Sequence, residues 1–497
     1  MVYLYTELLQ DVILSVLRQF LELLRHRNSS VQAKVVSALA ELSSQEKFKD
    51  IIARALPEFI KLLQDRDISV RTNAVDVFGK LLEQGRFQHA ILNALPKFIK
   101  LLEDEDANVR YKAVSVFGEI SKQETFHNVI SNLNALPNFL KLLMDGDSNV
   151  RYYAVSAFGK LSEQGKFKDA IINALPQFMK LLEDGDSNVQ CNVLSVFGKL
   201  SEQKEFHDAI SNAIPVFLKL LQDGNSKVQS NAVFVFGELS EQETFYDAIS
   251  EALPKFLKLL KDGNGDVRSD AVSAFGKLSL SQQGRFQDAI VDALPDFMKL
   301  RKDTDNRVRR DFVTVFGKMS EQGKFQNYIS NKLPKFLKLL NDRDNIVLYN
   351  VVSVFGKLSE NEKFHDALSD ALPEFLKLRK DTSNYVRREA VSVFGKLPRQ
   401  GKFQPAISKA LPKFLKLLKD EDNQVRNLTV SLIDKFLEQE EFHDTIVKAL
   451  PEFLRLLNDR NSDVQSNAMS VFNKLSRKER FRDMTSPVAQ PQAQYKL

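Results

Sequence analysis

The chain has 497 residues, 43% of them hydrophobic, and its 70 basic and 65 acidic side chains leave a formal net charge of +5. This near balance argues against a nucleic-acid-binding domain, which usually carries a concentrated basic footprint. The only cysteine, Cys191, excludes an intrachain disulfide and a thiolate metal cluster. It also favours a reducing, cytoplasmic location. Charged residues interrupt the N-terminal segment, and no apolar run approaches a membrane span, so we expect neither a signal peptide nor a membrane anchor.

A proline recurs every 39 residues along the chain, with two steps of 41. These prolines are Pro57, Pro96, Pro137, Pro176, Pro215, Pro254, Pro295, Pro334, Pro373, Pro412 and Pro451. An earlier copy has Arg18 in this place, which makes twelve repeats. Self-similarity at this period is the signature of a solenoid, in which stacked repeats share one continuous core. The sequence therefore predicts a single domain over residues 1–481, followed by a disordered C-terminal tail at 482–497.

Each repeat predicts two helices. Around Pro57, the first helix has an apolar stripe that includes Phe59 and Leu62. Because proline breaks a helix interior, this helix is expected to be kinked or divided at Pro57. A turn at residues 65–67 leads to a second helix, from about residue 69 to 83, whose buried side includes Ala74 and Phe78. The two longer steps are expected to place their extra residues in loops near 132–134 and 280–281.

Phenylalanine fills two positions in every repeat, one two residues after the proline and one between repeats. A third phenylalanine usually precedes a glycine near the end of the second helix, as in Phe78-Gly79. Aromatic residues at helical spacing are far more often core than binding surface. A glycine inside a helix is unfavourable, and we interpret it as a site where the neighbouring helix approaches closely.

The succession Leu-Pro, Phe-Leu-Lys-Leu-Leu, an Asp turn, Val-Arg and an Ala-Val-rich helix resembles HEAT repeats. The ending Phe-Gly-Lys-Leu-Ser is similar to armadillo repeats. The resemblance covers about residues 1–481 and implies an all-α fold: a right-handed α-solenoid, or superhelix, of about twelve HEAT/armadillo-like repeats. In such stacks the exposed side of the second helices lines a concave groove.

The resemblance also implies a structural ladder in which a turn aspartate pairs with an arginine of the neighbouring repeat. The matching aspartates run from Asp65 and Asp104 to Asp459, and the matching arginines are Arg71, Arg110, Arg151, Arg268, Arg309, Arg387 and Arg426. Five repeats have another residue in place of the arginine, namely Gln32, Gln190, Gln229, Leu348 and Gln465. The ladder should be broken at those five.

No motif for catalysis or phosphate binding is present, so we expect no enzyme activity and no cofactor. Four histidines follow the inter-repeat phenylalanine in different repeats: His127, His207, His365 and His443. They are too far apart to share a metal, and we expect them to be solvated loop residues. The remaining function class is a monomeric scaffold or adaptor that binds a protein partner along the concave groove.

A lysine row on the second helices favours an alternative, a nucleic-acid or polyanion binder. Its members are Lys80, Lys160, Lys199, Lys277, Lys318, Lys357 and Lys396. Lysine in a last helical turn also complements the helix dipole, so the row needs no ligand to explain it. A nuclear-transport-like carrier is a third alternative, which depends on fold analogy alone.

Unusual residues interrupt the small or polar groove positions in two regions. They are Tyr111, Tyr152 and Tyr153 in repeats 3 and 4, and Arg310, Tyr349 and Arg388 in repeats 8 to 10. Phe234 is a further apolar exception in repeat 6. Tyrosine and arginine are enriched at binding hot spots, which makes these residues candidate anchors for a ligand in the groove. Drift at a tolerant surface position is the alternative.

Overall fold

The computed structural model describes residues 28–43, 49–82, 87–132, 135–280, 286–397 and 403–478, with residues 19, 22–24, 26 and 481 in addition. These residues form helices joined by turns, and no β-strand occurs among them. The all-α prediction is therefore confirmed. The predicted tail at 482–497, most of the first repeat's first helix and the loop residues 133–134 and 281 lie outside the described residues.

The second helix begins directly after the aspartate turn in repeats 2 to 12 and after Asn28 in repeat 1. These helices are Ser29–Ser43, Ile68–Leu82, Ala107–Ile120, Ser148–Leu161, Ser187–Leu200, Ser226–Leu239, Gly265–Leu280, Asn306–Ser320, Asn345–Leu358, Asn384–Phe394, Asn423–Phe436 and Ser462–Leu475. Helices Glu124–Asn132 and Gly265–Leu280 end where the two longer repeat steps were predicted to insert residues.

The first helices contain the repeat prolines. They are Lys49–Leu62, Gln88–Ile99, Glu124–Asn132 with Ala135–Leu142, Lys168–Leu181, His207–Leu220, Tyr246–Lys258, Gln287–Phe297, Gln326–Phe336, His365–Phe375, Gln404–Phe414 and His443–Arg455. In most of them the proline lies inside one helix, as Pro57 does in Lys49–Leu62. Several continue into a short 3-10 turn, such as Leu337–Asn341.

The chain forms two compact units, Met1–Phe256 and Leu257–Leu497. In the first unit the second helices pack on one another in series, from Ser29–Ser43 to Ser226–Leu239. In the second unit the same series runs from Gly265–Leu280 to Ser462–Leu475. The described phenylalanines of the three recurring positions are no more than 2% exposed, apart from Phe472 at 7%. They form the core, as predicted.

The recurring glycines mark the closest approach between successive second helices. A Cβ added at Gly317 would lie 2.7 Å from Val354 Cγ2, and one at Gly276 would lie 2.7 Å from Val315 Cγ2. Both distances are well inside ordinary van der Waals contact. The interpretation of these glycines as close-approach sites is confirmed.

In repeats 2 to 5, 8, 9 and 11 two aspartates fix the turn and start the second helix, as repeat 4 shows. Asp145 Oδ1 accepts the N–H of Asp147 at 2.9 Å, and Asp147 Oδ1 accepts the N–H of Asn149 at 2.9 Å. Asp147 is thus the N-cap of helix Ser148–Leu161. An acceptor at this position satisfies a backbone donor that the helix leaves unpaired.

The implied ladder is present. Arg151 donates from Nε and Nη2 to the carboxylate of Asp184 in the next repeat, at 2.7 and 2.8 Å. Its Nη1 donates to the carbonyl of Asp145 in its own repeat at 2.8 Å. The same cross-repeat pairs are Arg71–Asp104, Arg110–Asp145, Arg268–Asp303, Arg309–Asp342, Arg387–Asp420 and Arg426–Asp459.

Where glutamine replaces the arginine, its side chain turns back into its own repeat. Gln190 Nε2 donates to the carbonyl of Leu182 at 3.1 Å. Gln32, Gln229 and Gln465 make the equivalent bond. Leu348 fills the arginine's place with a side chain that is 4% exposed. The ladder is therefore interrupted at the predicted repeats.

The prediction of solvated loop histidines is wrong. His127, His207 and His443 are each 7% exposed. His127 Nε2 lies 2.7 Å from the carbonyl oxygen of Ser121, and its ring packs edge-on against Phe167 with the centroids 5.0 Å apart. His365 makes the same two contacts, to Ser359 and Phe403. The imidazole therefore satisfies a carbonyl at the end of the preceding second helix and extends the aromatic core.

Candidate partner-binding surface

The exposed side of the second helices is called here the second-helix face. In repeat 2 it consists of Thr72, Asp76 and Lys80, whereas Ala74 and Phe78 are buried. This division follows from the 3.6-residue helical period. The predicted groove positions therefore lie on the exposed side of helix Ile68–Leu82.

The three tyrosines of repeats 3 and 4 form one aromatic cluster on this face. The rings of Tyr111 and Tyr153 stack with their centroids 5.5 Å apart, and Tyr152 meets Tyr153 edge-on at 5.3 Å. Tyr152 is 37% exposed. Asn192 of repeat 5 donates to the carbonyl of Tyr152 at 2.7 Å, which ties the cluster to the following helix. The cluster is therefore a preformed aromatic surface that spans two repeats.

Phe234 is an exposed ring in repeat 6, with 45% of its surface accessible. Its Cε1 lies 3.3 Å from the place that a Cβ at Gly198 would occupy. The ring thus packs against Gly198 of the preceding second helix, where no side chain intervenes.

Arg310 and Arg388 are half-buried and ion-paired. Arg310 Nη2 lies 2.7 Å from Asp344, the N-cap of the next second helix. Arg388 Nε donates to Asp422 at 2.9 Å, and Asp422 is likewise the N-cap of the next second helix, Asn423–Phe436. Hydrogen bonds from these guanidinium groups lower the pKa of Asp344 and of Asp422. These arginines form a second cross-repeat ladder, which the sequence analysis missed.

Asn306 and Asn384 complete this second ladder. Asn306 donates to Asp344 at 2.7 Å, and Asn384 donates to Asp422 at 2.8 Å. A sequence signal for this was available, because repeats 8 and 10 share the asparagine, the second arginine and an aspartate one repeat later.

Several members of the lysine row pair with a carboxylate of the preceding repeat. Lys160 Nζ lies 2.6 Å from Glu119, Lys199 lies 3.3 Å from Glu163, and Lys357 lies 2.9 Å from Glu321. Lys80 pairs with Glu41 in the same way. Lys277 also has an interaction partner, and Lys396 acts electrostatically on Glu389. Lys318 is exposed and has no ion pair among the described residues. The row thus presents much less net positive charge than the same number of unpaired lysines would.

Two exposed residues that the sequence analysis passed over lie beside Tyr349. Ile346 is 50% exposed, Tyr349 is 40% exposed, and Tyr385 is 64% exposed. Ile346 and Tyr385 occupy the same position in repeats 9 and 10, where earlier repeats have Asn108, Asn149 or Asn188. That contrast was visible in the sequence. The guanidinium carbon of Arg388 lies 5.3 Å from the centroid of the Tyr385 ring, within cation–π range.

The described residues contain neither a metal-binding cluster nor a membrane-spanning helix. No group of three or more histidine, cysteine, aspartate or glutamate side chains is arranged to hold a metal ion there. Within the described helices, none is both long and apolar enough to cross a membrane.

Stacked helix pairs, the cross-repeat ladder and the close-approach glycines define a HEAT-repeat-like helical solenoid. A family model described as the adaptin N terminal region matches residues 1–211 and 205–486. The chain belongs to this family. Comparison with curated proteins gave no match.

Many solved structures are similar to the chain, among them the following two. The structure of Kap95p with RanGDP matches with a TM-score of 0.67 and 14% identity, covering 92% of this chain and 61% of that one. At this identity the likeness shows the fold. The chain spans about 61% of the length of that match. The crystal structure of an engineered protein matches with 22% identity and a TM-score of 0.49, covering 76% of this chain and 98% of that one.

Proposed function

We propose that the protein is a non-enzymatic, intracellular adaptor or carrier that binds a protein partner along its second-helix face. The observation that carries this proposal is the set of exposed aromatic rings on the second helices, namely Tyr152 and Phe234 in the first unit and Tyr349 and Tyr385 in the second. Large side chains held in place by packing lose little entropy on binding, which is why aromatic residues dominate interface hot spots. Membership of the adaptin N-terminal family supports the same class.

The partner's anchor points are the two clusters and the ring between them. The first cluster is Tyr111, Tyr152 and Tyr153, and the second is Tyr349 with the paired arginines Arg310 and Arg388. Phe234 lies between them in sequence. Because both arginines are held by carboxylates, they offer the partner fixed planar surfaces instead of free charge.

The polyanion alternative depends on the lysine row of Lys80, Lys160, Lys199, Lys277, Lys318, Lys357 and Lys396. Exposed ion pairs contribute little to stability, yet each carboxylate offsets the field that a phosphate would meet. The pairing of Lys160, Lys199 and Lys357 therefore favours a protein partner over nucleic acid. A transport-like carrier is also compatible with the fold of this chain, because Kap95p, which has a similar fold, binds RanGDP.

Affinity purification of the full chain, followed by cross-linking mass spectrometry, tests the proposal. A partner should cross-link next to the second-helix residues named above. With that partner, Tyr152→Ala and Tyr349→Ala should each weaken binding by about 1 kcal/mol or more. Ile172→Ala is a matched control, since Ile172 is 40% exposed on a first helix. Cross-links confined to first helices, with unchanged affinity in both tyrosine variants, would refute binding along this face. Sedimentation velocity of the free protein tests the monomer expectation.

A further inference from the structure

The exposed apolar residues of repeats 9 and 10 are concentrated at the start of two adjacent second helices. Ile346 and Tyr349 are one turn apart in helix Asn345–Leu358. Tyr385 holds the place of Ile346 in helix Asn384–Phe394, and these two helices pack against each other. Neighbouring packed helices lie about 8–10 Å apart, so the three side chains form one continuous surface. We call Ile346, Tyr349 and Tyr385 the Ile346 patch.

The cations beside this patch lack carboxylate partners. Lys302, Arg343 and Lys380 are exposed on the turns of repeats 8, 9 and 10, and none has an ion pair within the described part of the chain. Equivalent lysines in the repeats on either side are neutralised. Lys261 pairs with Asp296 at 2.5 Å, and Lys419 pairs with Glu452 at 2.6 Å.

The difference comes from the next repeat. At the positions equivalent to Asp296 and Glu452, repeats 9 and 11 have Lys335 and Lys413, both exposed. The repeats that follow Lys302 and Lys380 therefore have lysine at the position where the repeats that follow Lys261 and Lys419 have a carboxylate. Repeats 8 to 11 consequently carry uncompensated positive charge along the turn edge, next to the Ile346 patch.

Four neighbouring carboxylates are already occupied by arginines of the two ladders, in the pairs Arg309–Asp342, Arg310–Asp344, Arg387–Asp420 and Arg388–Asp422. Glu421, which is exposed, also lies 3.5 Å from Arg387. Asp381, whose arginine is replaced by Leu348, accepts the N–H of Ser383 at 2.8 Å. A ligand with basic groups would thus find few free carboxylates here, whereas one with acidic groups would find free cations.

We propose that the Ile346 patch binds an acidic amphipathic segment of a partner protein. Its apolar side chains would cover Ile346, Tyr349 and Tyr385, and its carboxylates would pair with Arg343 and Lys380. Apolar contact provides most of the affinity, and the charges select the partner. This inference rests on the proposed function and names the chemistry of one of its anchor sites.

Fluorescence anisotropy with three labelled synthetic peptides tests this. The first is a short helix-forming peptide with leucine and phenylalanine on one face and glutamate on the other. The second has lysine for every glutamate, and the third has serine for every leucine and phenylalanine. Only the first should bind the full-length protein, and raising the salt concentration should weaken it.

Variants locate the site. Ile346→Ser with Tyr385→Ser, and separately Arg343→Glu with Lys380→Glu, should each weaken the first peptide by at least about fivefold. Arg66→Glu, at the turn position of repeat 2 that matches Arg343, should leave binding unchanged. All five positions are exposed, so an unchanged melting temperature verifies that the variants fold.

The inference is overturned if the lysine peptide binds as well as the glutamate peptide, if no peptide binds, or if both double variants bind like the parent. Loss of this site alone does not remove the proposed function. A native partner that still requires Tyr152, but not the Ile346 patch, would leave the adaptor proposal standing while refuting this one.

Discussion

Gly317 shows how little space separates two successive second helices. A methyl group at this position would meet Val354 Cγ2 at 2.7 Å. Because valine is branched and stiff at χ1, it cannot turn aside freely. Gly317→Ala should therefore destabilise the protein by about 1–3 kcal/mol, although alanine is the better helix former.

Urea unfolding of Gly317→Ala, Val354→Ala and the double variant measures this effect. The double variant should lose less unfolding free energy than the two single variants lose in sum, by about 0.5–3 kcal/mol. The reason is that each substitution relieves the packing defect that the other creates. Gly323→Ala is the control, since a Cβ there has no neighbour within 4 Å. Strict additivity would contradict the close-contact explanation.

At the scale of the element, the arginine ladder joins consecutive turns. Arg309 donates to Asp342 at 2.8 and 2.9 Å and to the carbonyl of Asp303 at 2.8 Å. Arg309→Ala would leave a carboxylate that is 7% exposed without its partner. We expect a loss of about 3 kcal/mol or more in the free energy of unfolding.

Arg309→Gln should cost less, because glutamine at this position bonds a carbonyl of its own repeat, as Gln190 does with Leu182. Thermal and urea unfolding of the two variants compare them directly. Equal losses would mean that the hydrogen bond within the repeat contributes nothing.

The second ladder predicts how stability responds to acid. Arg310 and Arg388 lower the pKa of Asp344 and Asp422, as Arg426 does for Asp459. The unfolded chain therefore takes up these protons before the folded one, so stability present above the ordinary aspartate pKa is lost below about pH 5.

Unfolding free energies measured from neutral to acidic pH test this dependence. Asp344→Asn with Asp422→Asn should be less stable than the parent at neutral pH and should lose less stability in acid. Asp208→Asn, which alters an exposed carboxylate, is the control. A parallel pH profile for the parent and the double variant would contradict the role of these carboxylates.

The sequence predicted the repeats, the core phenylalanines and the first ladder, because each recurs at fixed spacing. Burial of His127 was not predicted, since histidine occurs both in cores and at the surface. Its partner is the backbone carbonyl of Ser121, a group that every residue carries and that gives no signal in the sequence. The ion pairs of Arg310 and Arg388 were missed for a different reason. Their partners lie one repeat away, and a single position read alone cannot distinguish a free arginine from a paired one.

At the scale of the whole molecule, a substitution in a solenoid destabilises its own repeat and the adjacent repeats. Phe217 is fully buried and packs edge-on against Phe197 and Phe236, with centroids 5.3 and 6.4 Å apart. Phe217→Ala should cost about 3–5 kcal/mol. Because repeat stability is a sum of near-neighbour terms, hydrogen exchange should rise first in repeats 5 to 7. A uniform rise over the described residues would contradict this locality.

The balance of charge over the chain provides a test of the polyanion alternative. A net charge of +5 on 497 residues, with Lys160, Lys199 and Lys357 paired to glutamates, gives a weak field along the lysine row. We therefore expect only non-specific affinity for duplex DNA, with Kd of about 10⁻⁴ M or weaker at physiological salt, and a shallow dependence of binding on salt.

Anisotropy titrations at several salt concentrations measure both quantities, and Glu119→Gln with Glu163→Gln provides the comparison. Unmasking the lysines in that double variant should strengthen DNA binding and steepen its salt dependence. Tight binding by the parent that Lys160→Ala weakens, with the salt slope reduced by about one, would instead make the lysine row a phosphate-binding surface.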